Sequence, residues 1–120
     1  VKKMIKQGIQ VKDSNVLVLG ITFKENCPDI RNSKVVDVIR ALKEYDTNVT
    51  IYDPWANPEE VKREYGLTCH SELVSEFHSH QYSAIVFGVA HKEFLNLDLD
   101  ALKTENAVVY DFKGRSEERL

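Results

Sequence analysis

Two cationic side chains, Lys24 and Arg31, lie in a polar segment that follows a run of apolar residues ending at Gly20. A lysine is a mobile point charge, and an arginine is a planar fork that matches the oxygens of a phosphate group. The two side chains could therefore bind an anionic ligand. The alternative is that both are surface charges that pair with their neighbours Glu25 and Asp29.

The same segment contains Cys27, whose thiol would need a lowered pKa to act as a nucleophile. Lys24 and Arg31 could supply the positive charge, but no general base is adjacent in the sequence, so we expect an inert thiol. His78 and His80 lie two residues apart on a predicted helix and so point in different directions. We therefore predict no catalytic residue and no metal site in this chain.

Other residues of chemical interest are isolated in the sequence. His70 and His91 have no partner at a recognisable spacing, so we expect both to be exposed to solvent. Trp55 follows Asp53 and Pro54, and could be a lid or interface residue; partial burial is the alternative.

A dinucleotide-binding loop needs the glycine pattern GxGxxG, which lets the backbone approach a pyrophosphate. Here Gly20 is followed by bulky side chains. Asp53 ends a predicted strand, as does the acidic residue that binds a ribose in such folds, but the glycines that accompany that residue are missing. We do not expect this domain to bind a dinucleotide on its own.

Short runs rich in valine and isoleucine alternate along the chain with segments of helical periodicity. The strands are predicted at residues 16–19, 49–52, 67–69, 84–87 and 107–110. Helices are predicted after a cap at Asn32 or Ser33, at 58–65, after Ser71, and within 91–102. This alternation implies βαβ units, so we predict an α/β fold, a Rossmann-like three-layer sandwich with a mainly parallel sheet. Ligands bind outside the carboxyl ends of the strands in such sheets, which is where Lys24 lies.

The composition is that of one globular domain: 120 residues, 42% hydrophobic and 29% charged. The net charge of -3 argues against a dedicated nucleic-acid-binding protein. No apolar run approaches the roughly 20 residues of a membrane helix. The two cysteines, far apart in the chain, are typical of reduced thiols in a cytoplasmic protein.

Residues 20–24 (GITFK) and 29–33 (DIRNS) together resemble the signature G-x-x-F-K…D-x-R-x-S of the UDP-glucose/GDP-mannose dehydrogenase family. This signature belongs to the C-terminal, UDP-binding domain of the family. Residues 49–54 are similar to the second strand of that domain, and residues 111–113 to its closing strand. Within the family, the long form of the signature is most similar to bacterial UDP-N-acetylhexosamine 6-dehydrogenases, of the galactosamine or glucosamine type.

The resemblance implies an enzyme that oxidises the C6 alcohol of a UDP-sugar to a carboxylate in two NAD-dependent steps. In this family an N-terminal domain binds NAD, a central helix forms the homodimer, and the C-terminal domain closes over the nucleotide sugar. Residues 1–13 would be the tail of the central helix or a linker, and residues 14–120 the UDP-sugar-binding domain. The family's catalytic cysteine lies outside the matched region and is not Cys27. The resemblance therefore implies that this chain is inactive alone, and it suggests a role in polysaccharide biosynthesis.

Particular residues match the family's binding positions. Phe23 and Lys24 match its substrate-contacting pair, and Arg31 matches an arginine that reaches the cofactor. Some members carry a further substrate-binding arginine near the last strand. The present sequence departs from that pattern and offers Lys113 and Arg115 as candidates.

Two other classes of protein have a similar pattern of elements. One is a response-regulator receiver domain, phosphorylated on an aspartate such as Asp53. That class needs an acidic cluster after the first strand to hold Mg²⁺, where this chain has Phe23 and Lys24. The other is a non-catalytic Rossmann-like interaction domain.

Overall fold

A computed structural model describes residues 10–24, 26–31, 33–72, 81–97 and 99–111, together with Ile5 and Gly8. The strands in this part of the chain are β1 (Asn15–Leu19), β2 (Asn48–Tyr52), β3 (Cys69–His70), β4 (Tyr82–Phe87) and β5 (Lys103–Asp111). They form one sheet in the order β3-β2-β1-β4-β5, and every neighbouring pair is parallel. The predicted α/β fold with a parallel sheet is confirmed.

Helices cover both faces of this sheet. They are α1 (Val35–Glu44), α2 (Pro58–Tyr65), a 3₁₀ helix (Lys92–Asn96) and α3 (Leu99–Leu102). Successive residues of β1 point to opposite faces, as the pleat of a strand requires. Val16 and Val18 pack in the core that contains residues of α1 and α2, whereas Leu17 and Leu19 pack with the 3₁₀ helix and α3. The result is the predicted three-layer arrangement.

None of the described helices is both long enough and apolar enough to cross a bilayer.

Helix α2 begins and ends where the sequence predicts. The Asn57 side chain is its N-cap and accepts hydrogen bonds from the N–H groups of Glu59 and Glu60. Pro58 lies in the first turn of the helix. N–H groups in that turn have no acceptor within the helix, so a proline there costs no hydrogen bond. Gly66 ends the helix in the left-handed conformation, with φ of 70°.

The start of α1 differs from the prediction. Lys34 holds the N-cap position, with helical backbone angles and no capping bond from its side chain. Ser33 lies one residue too early to cap, and its N–H group donates to the Tyr65 hydroxyl (3.4 Å). The other predicted cap, Asn32, lies outside the described residues.

The last two strands are longer than predicted. β4 begins at Tyr82, which pairs with Lys103 of β5, and a register shift separates this pair from Ala84 and Val108. Residues 103–106 are polar apart from the methyl of a threonine, so they show no apolar alternation that would indicate a strand. Pairing with a neighbouring strand, rather than side-chain pattern, extends β5 at this end.

Three other elements were predicted from the sequence: a short strand, the helices within residues 91–102, and a helix after Ser71. The strand predicted at residues 67–69 forms at Cys69–His70. The short helices predicted within residues 91–102 are confirmed as the 3₁₀ helix and α3. The helix predicted after Ser71 falls on residues 73–80, which lie outside the described part of the chain.

Two glycines meet where the strand order reverses, between β1 and β4. Gly20 has φ of 97°, and its N–H group donates to the Tyr52 carbonyl (2.9 Å). Gly88 donates to the Leu19 carbonyl (2.8 Å). A Cβ atom on Gly20 would lie 2.7 Å from the Cβ of Val89. The absence of side chains here lets the two loops approach at the point where open α/β sheets bind ligands.

Candidate functional site

The loop that follows β1, residues 20–31, presents two side chains to solvent. Ile21 and Thr22 are buried, whereas Phe23 is 51% exposed and Lys24 is exposed. The Thr22 hydroxyl donates to the Lys24 carbonyl (3.0 Å). The alternative partner of Lys24, Glu25, lies outside the described residues, and none of the described residues forms an ion pair with Lys24. The predicted substrate-contacting pair therefore projects from a backbone that is fixed beneath it.

Arg31 lies at the far end of this loop and pairs with Asp29. The guanidinium donates from Nε to Oδ1 and from Nη2 to Oδ2, both at 3.0 Å. These bonds hold the pKa of the Asp29 carboxyl below its usual value and raise the pKa of Arg31. The Arg31 side chain is nevertheless 80% exposed. This arrangement agrees with the alternative that Arg31 is a surface charge paired with Asp29. The guanidinium is also exposed, so another anion can reach it.

An open groove of about 290 Å³ lies beside Arg31, between the 20–31 loop and α2. Its lining residues are Pro28, Asp29, Ile30, Arg31, Glu60, Arg63 and Glu64. Its volume is at the low end for ligand pockets, so it could hold part of a dinucleotide but not a whole one.

Asp53, directly after β2, is fully buried, with 0% exposure. Its Oδ2 accepts from the N–H groups of Ile21 (2.7 Å) and Thr22 (3.1 Å). Its Oδ1 accepts from the N–H groups of Trp55 (2.7 Å) and Ala56 (3.2 Å). One carboxylate thus holds the loops after β1 and β2 together.

His91 is the fifth partner of this carboxylate, with Nε2 3.0 Å from Oδ2 of Asp53. The prediction that His91 is exposed to solvent is wrong, because its side chain is completely buried. Its Nδ1 accepts from the N–H group of Asn26 (2.8 Å), and its Nε2 also lies 3.1 Å from the Thr22 hydroxyl. Burial of the polar ring is tolerated because both nitrogens have partners. His70, in contrast, is exposed as predicted.

Burial alone would raise the pKa of the Asp53 carboxyl. The hydrogen bonds from His91 and from the Ile21 N–H outweigh burial, so the pKa lies below its usual value. Asp53 is therefore held as a carboxylate by the groups that surround it.

Trp55 is partly buried, which agrees with the alternative to a lid. Its ring stacks on His91, with centroids 6.0 Å apart, and its Nε1 donates to Oε1 of Glu93 (2.8 Å). Nζ of Lys92 lies over the indole, 5.7 Å from the ring centroid. The indole therefore connects the loop after β2 to the loop after β4.

The burial of Asp53 bears on two possible roles of this residue, a contact to a ribose and a site of phosphorylation. Both of its oxygens are occupied and shielded from solvent, so it presents nothing to a ribose. The same enclosure leaves no oxygen to accept a phosphoryl group, which argues against a receiver domain.

The two thiols differ in burial, and the described metal-ligating side chains form no cluster. Burial raises the pKa of Cys69 to about 12, so this thiol stays protonated. Cys27 is partly exposed. In the described residues no group of three histidine, cysteine, aspartate or glutamate side chains could hold a metal ion. His78, His80, Lys113 and Arg115 lie outside this part of the chain.

His91 and Asn26 were not predicted to be parts of the site. A usable signal was present, because His91 lies four residues after the end of β4. The carboxyl ends of parallel strands meet at one edge, so polar residues shortly after each strand are candidates for contact. The 65 positions between Asn26 and His91 hid their bond from any local pattern.

The depressed pKa of Asp53 predicts a loss of stability in acid. The unfolded chain, in which the carboxyl has its usual pKa of about 4, binds the proton more readily than the folded chain. The contribution of Asp53 is therefore complete above that value and is lost as the pH falls through the folded pKa. We expect the free energy of unfolding, measured with urea from pH 6 down to about pH 3, to fall more steeply in the wild type than in Asp53→Asn.

The amide side chain of the Asp53→Asn variant has no proton to gain in this range, whereas all other carboxyl groups are shared by the two proteins. Parallel pH profiles would show that Asp53 titrates alike in the folded and unfolded chains, contrary to the prediction.

Comparison with known proteins agrees with this geometry. Residues 17–117 match the model of the UDP-glucose/GDP-mannose dehydrogenase family, UDP binding domain. The chain is 47% identical over 116 residues to a UDP-N-acetyl-D-glucosamine 6-dehydrogenase of Salmonella typhi, and 44% identical over 117 residues to one of Pseudomonas aeruginosa. Each alignment covers 94% of this chain and 26% of the relative. The chain thus spans about a quarter of the length of these relatives.

The fold is shared with a solved UDP-glucose dehydrogenase from the archaeon Pyrobaculum islandicum. The TM-score is 0.67 at 26% sequence identity, over 92% of this chain and 24% of that chain. The family match includes the 20–31 loop, Asp53 and His91. The chain therefore belongs to the UDP-glucose/GDP-mannose dehydrogenase family, in which it corresponds to the UDP binding domain.

Proposed function

We propose that this chain is the C-terminal, substrate-binding domain of an NAD-dependent UDP-sugar 6-dehydrogenase. The reaction converts the C6 alcohol of the sugar to a carboxylate in two oxidations. The observation that carries the proposal is the exposed pair Phe23 and Lys24, on a loop whose backbone is fixed at the carboxyl end of the sheet. The two relatives at 47% and 44% identity support a UDP-N-acetylhexosamine as the substrate.

Lys24 binds the diphosphate of the nucleotide sugar. Its ammonium group is exposed, and it gives up no ion pair with a described residue when an anion arrives. The half-exposed ring of Phe23 offers an apolar surface to the uncharged part of the substrate. Lys113, with Arg115 beside it, stays a prediction as a further substrate contact.

Arg31 contributes to binding of the cofactor. NAD, when bound, accepts the hydride in each oxidation. The chain lacks a GxGxxG loop, so NAD is held mainly by another domain and Arg31 supplies one cation from across the cleft. A phosphate can replace the Asp29 carboxylate on the exposed guanidinium, because both anions accept two parallel N–H bonds.

The proposal includes the partners of this domain. Residues 1–13 are the tail of a central helix or a linker, and the N-terminal and central domains complete the active site of a homodimeric enzyme. This enzyme acts in the cytoplasm, without nucleic acid or membrane, and its product is a precursor for polysaccharide biosynthesis.

Alanine variants of the full-length enzyme test the roles of Lys24 and Arg31. We expect Lys24→Ala to raise the KM for the UDP-sugar, and Arg31→Ala to raise the KM for NAD, each roughly 10- to 100-fold through loss of charge-assisted hydrogen bonds. Steady-state NADH formation, with each substrate varied in turn, measures both constants.

Lys43→Ala is the matched control, because Lys43 is exposed in the last turn of α1, beside the start of β2 at the opposite edge of the sheet. Unchanged constants for both Lys24→Ala and Arg31→Ala would remove these residues from the site. NADH production from UDP-sugar by the 120-residue chain alone would contradict the assignment as a substrate-binding domain.

A further inference from the structure

The backbone that carries Phe23 and Lys24 is held on both sides by one imidazole. On one side, Nε2 of His91 lies 3.1 Å from the hydroxyl of Thr22. On the other side, Nδ1 of His91 accepts from the N–H group of Asn26 at 2.8 Å. His91 thus spans the short segment from which the proposed ligand-binding side chains project.

The directions of these hydrogen bonds assign the protons. A backbone N–H can only donate, so Nδ1 of His91 is unprotonated and Nε2 carries the hydrogen. That hydrogen faces Oδ2 of Asp53 at 3.0 Å. The Thr22 hydroxyl gives its own proton to the Lys24 carbonyl (3.0 Å). The Thr22 oxygen, 3.1 Å from Nε2, shares the one Nε2 hydrogen with Asp53. A branched set of hydrogen bonds therefore joins the imidazole to the buried carboxylate and, through the threonine, to the backbone of Lys24.

The far side of the segment would not hold its shape readily without His91. Asn26 has φ of 53°, in the left-handed region, which asparagine adopts more readily than most residues but which is still less favourable than the helical or extended regions. Two bonds restrain it: its N–H donates to His91, and its Oδ1 accepts from the N–H group of Lys92 (2.9 Å). Because Asn26 is itself exposed, loss of the His91 bond would release the loop to solvent without opening the core.

We propose that His91 is a positioning residue: through Thr22 and Asn26 it fixes the backbone under Lys24 and so sets the affinity of this domain for the diphosphate of its ligand. The inference rests on the proposed function of Lys24 as a phosphate-binding residue. His91 does not touch the ligand, and its effect passes through Lys24.

Two substitutions of His91 separate positioning from stability. The amide nitrogen of His91→Gln can replace Nε2 as donor to Asp53, but the acceptor for Asn26 is lost. The amide oxygen of His91→Asn can replace Nδ1 as acceptor for Asn26, but the donor to the buried carboxylate is lost. If His91 contributed only to stability, the more stable of the two variants would also bind UDP more tightly. The glutamine variant would then bind UDP better than the asparagine variant.

The positioning role predicts the opposite order. In the full-length enzyme, we expect His91→Gln to be the more stable of the two variants and yet to bind UDP about tenfold more weakly than the wild type, measured by calorimetry. His91→Asn should be less stable and bind UDP within about threefold of the wild type. The kcat at saturating UDP-sugar should change less than about twofold in both, because the reacting atoms are not contacted.

A double variant distinguishes failure of this inference from failure of the proposed function. If His91 acts through Lys24, then His91→Gln adds little to the loss of UDP affinity once Lys24→Ala is present. Normal UDP affinity in Lys24→Ala would overturn the role of Lys24, and the positioning role with it. Weak binding by Lys24→Ala together with normal binding by His91→Gln would overturn the positioning role alone.

Thr22→Val provides a second test should a His91 variant fail to fold. It removes the hydroxyl that links His91 to the Lys24 carbonyl while keeping the shape of the buried side chain. We expect UDP affinity to fall about fivefold, more than in His91→Asn, because Thr22→Val also removes the bond to the Lys24 carbonyl that His91→Asn keeps. Unchanged affinity in Thr22→Val would overturn the proposal.

Discussion

Replacing Asp53 with alanine is expected to lower the free energy of unfolding by about 3–5 kcal/mol, which is large for a single substitution. The reason is that the buried carboxylate accepts four backbone N–H bonds and one imidazole bond. Alanine would leave the four backbone donors without this acceptor in a region that water does not reach, and His91 would keep only its contact with the Thr22 hydroxyl. Urea unfolding followed by far-ultraviolet circular dichroism measures the change.

The control for this substitution is Asp37→Ala, at an exposed aspartate in the first turn of α1. That change removes only a favourable charge near the helix N-terminus, which is worth less than about 1 kcal/mol at the surface. If the two variants lost equal stability, the five bonds to Asp53 would not have the importance that the geometry gives them.

Replacing Gly20 with alanine is expected to cost about 3 kcal/mol, from strain in the backbone and crowding together. Its φ of 97° is unfavourable for any residue with a side chain. The added Cβ atom would also lie 2.7 Å from the Val89 Cβ and 2.8 Å from the Val89 nitrogen. Because the crowded atoms include backbone, a side-chain rotation cannot relieve the contact. Denaturant unfolding of the variant chain measures the loss.

Gly66→Ala is the matched control, because it has the positive φ without the crowding. Gly66 has φ of 70°, and nothing lies within 4 Å of an added Cβ. We expect it to cost about 1 kcal/mol, the ordinary penalty for a left-handed residue with a side chain. The difference between the variants measures the crowding at the junction of β1 and β4, and equal losses would show that the two loops can move apart at little cost.

The strands could be predicted from the sequence where burial dictates residue type. β1 is apolar after its first residue, and β2 consists largely of β-branched and aromatic residues. Their predicted bounds agree with the structure to within one residue at each end. The polar start of β5 could not be found in this way, since its pairing with Tyr82 depends on the neighbouring strand. The cap of α1 was missed for a related reason. Ser33 has a suitable side chain, but the backbone turns into the helix one residue later.

Part of the candidate site could likewise be predicted from local sequence, and part could not. The position of Lys24 after the first strand is a local feature, so the sequence was sufficient to predict that it lies beyond the carboxyl end of β1. The role of Asp53 depends on donors 32 and 38 positions away along the chain, which only the fold brings together. An aspartate at a strand end suits both a ribose contact and a buried acceptor, and burial decides between them.

The network around Asp53 and His91 has a consequence for the thermodynamics of binding. The loops after β1, β2 and β4 are bonded to one another, so a rearrangement of one would break bonds to the other two. The conformational entropy of these loops is lost when the domain folds, and little of it remains to be lost when a ligand arrives. The described part of this face is therefore held in one arrangement before any ligand arrives.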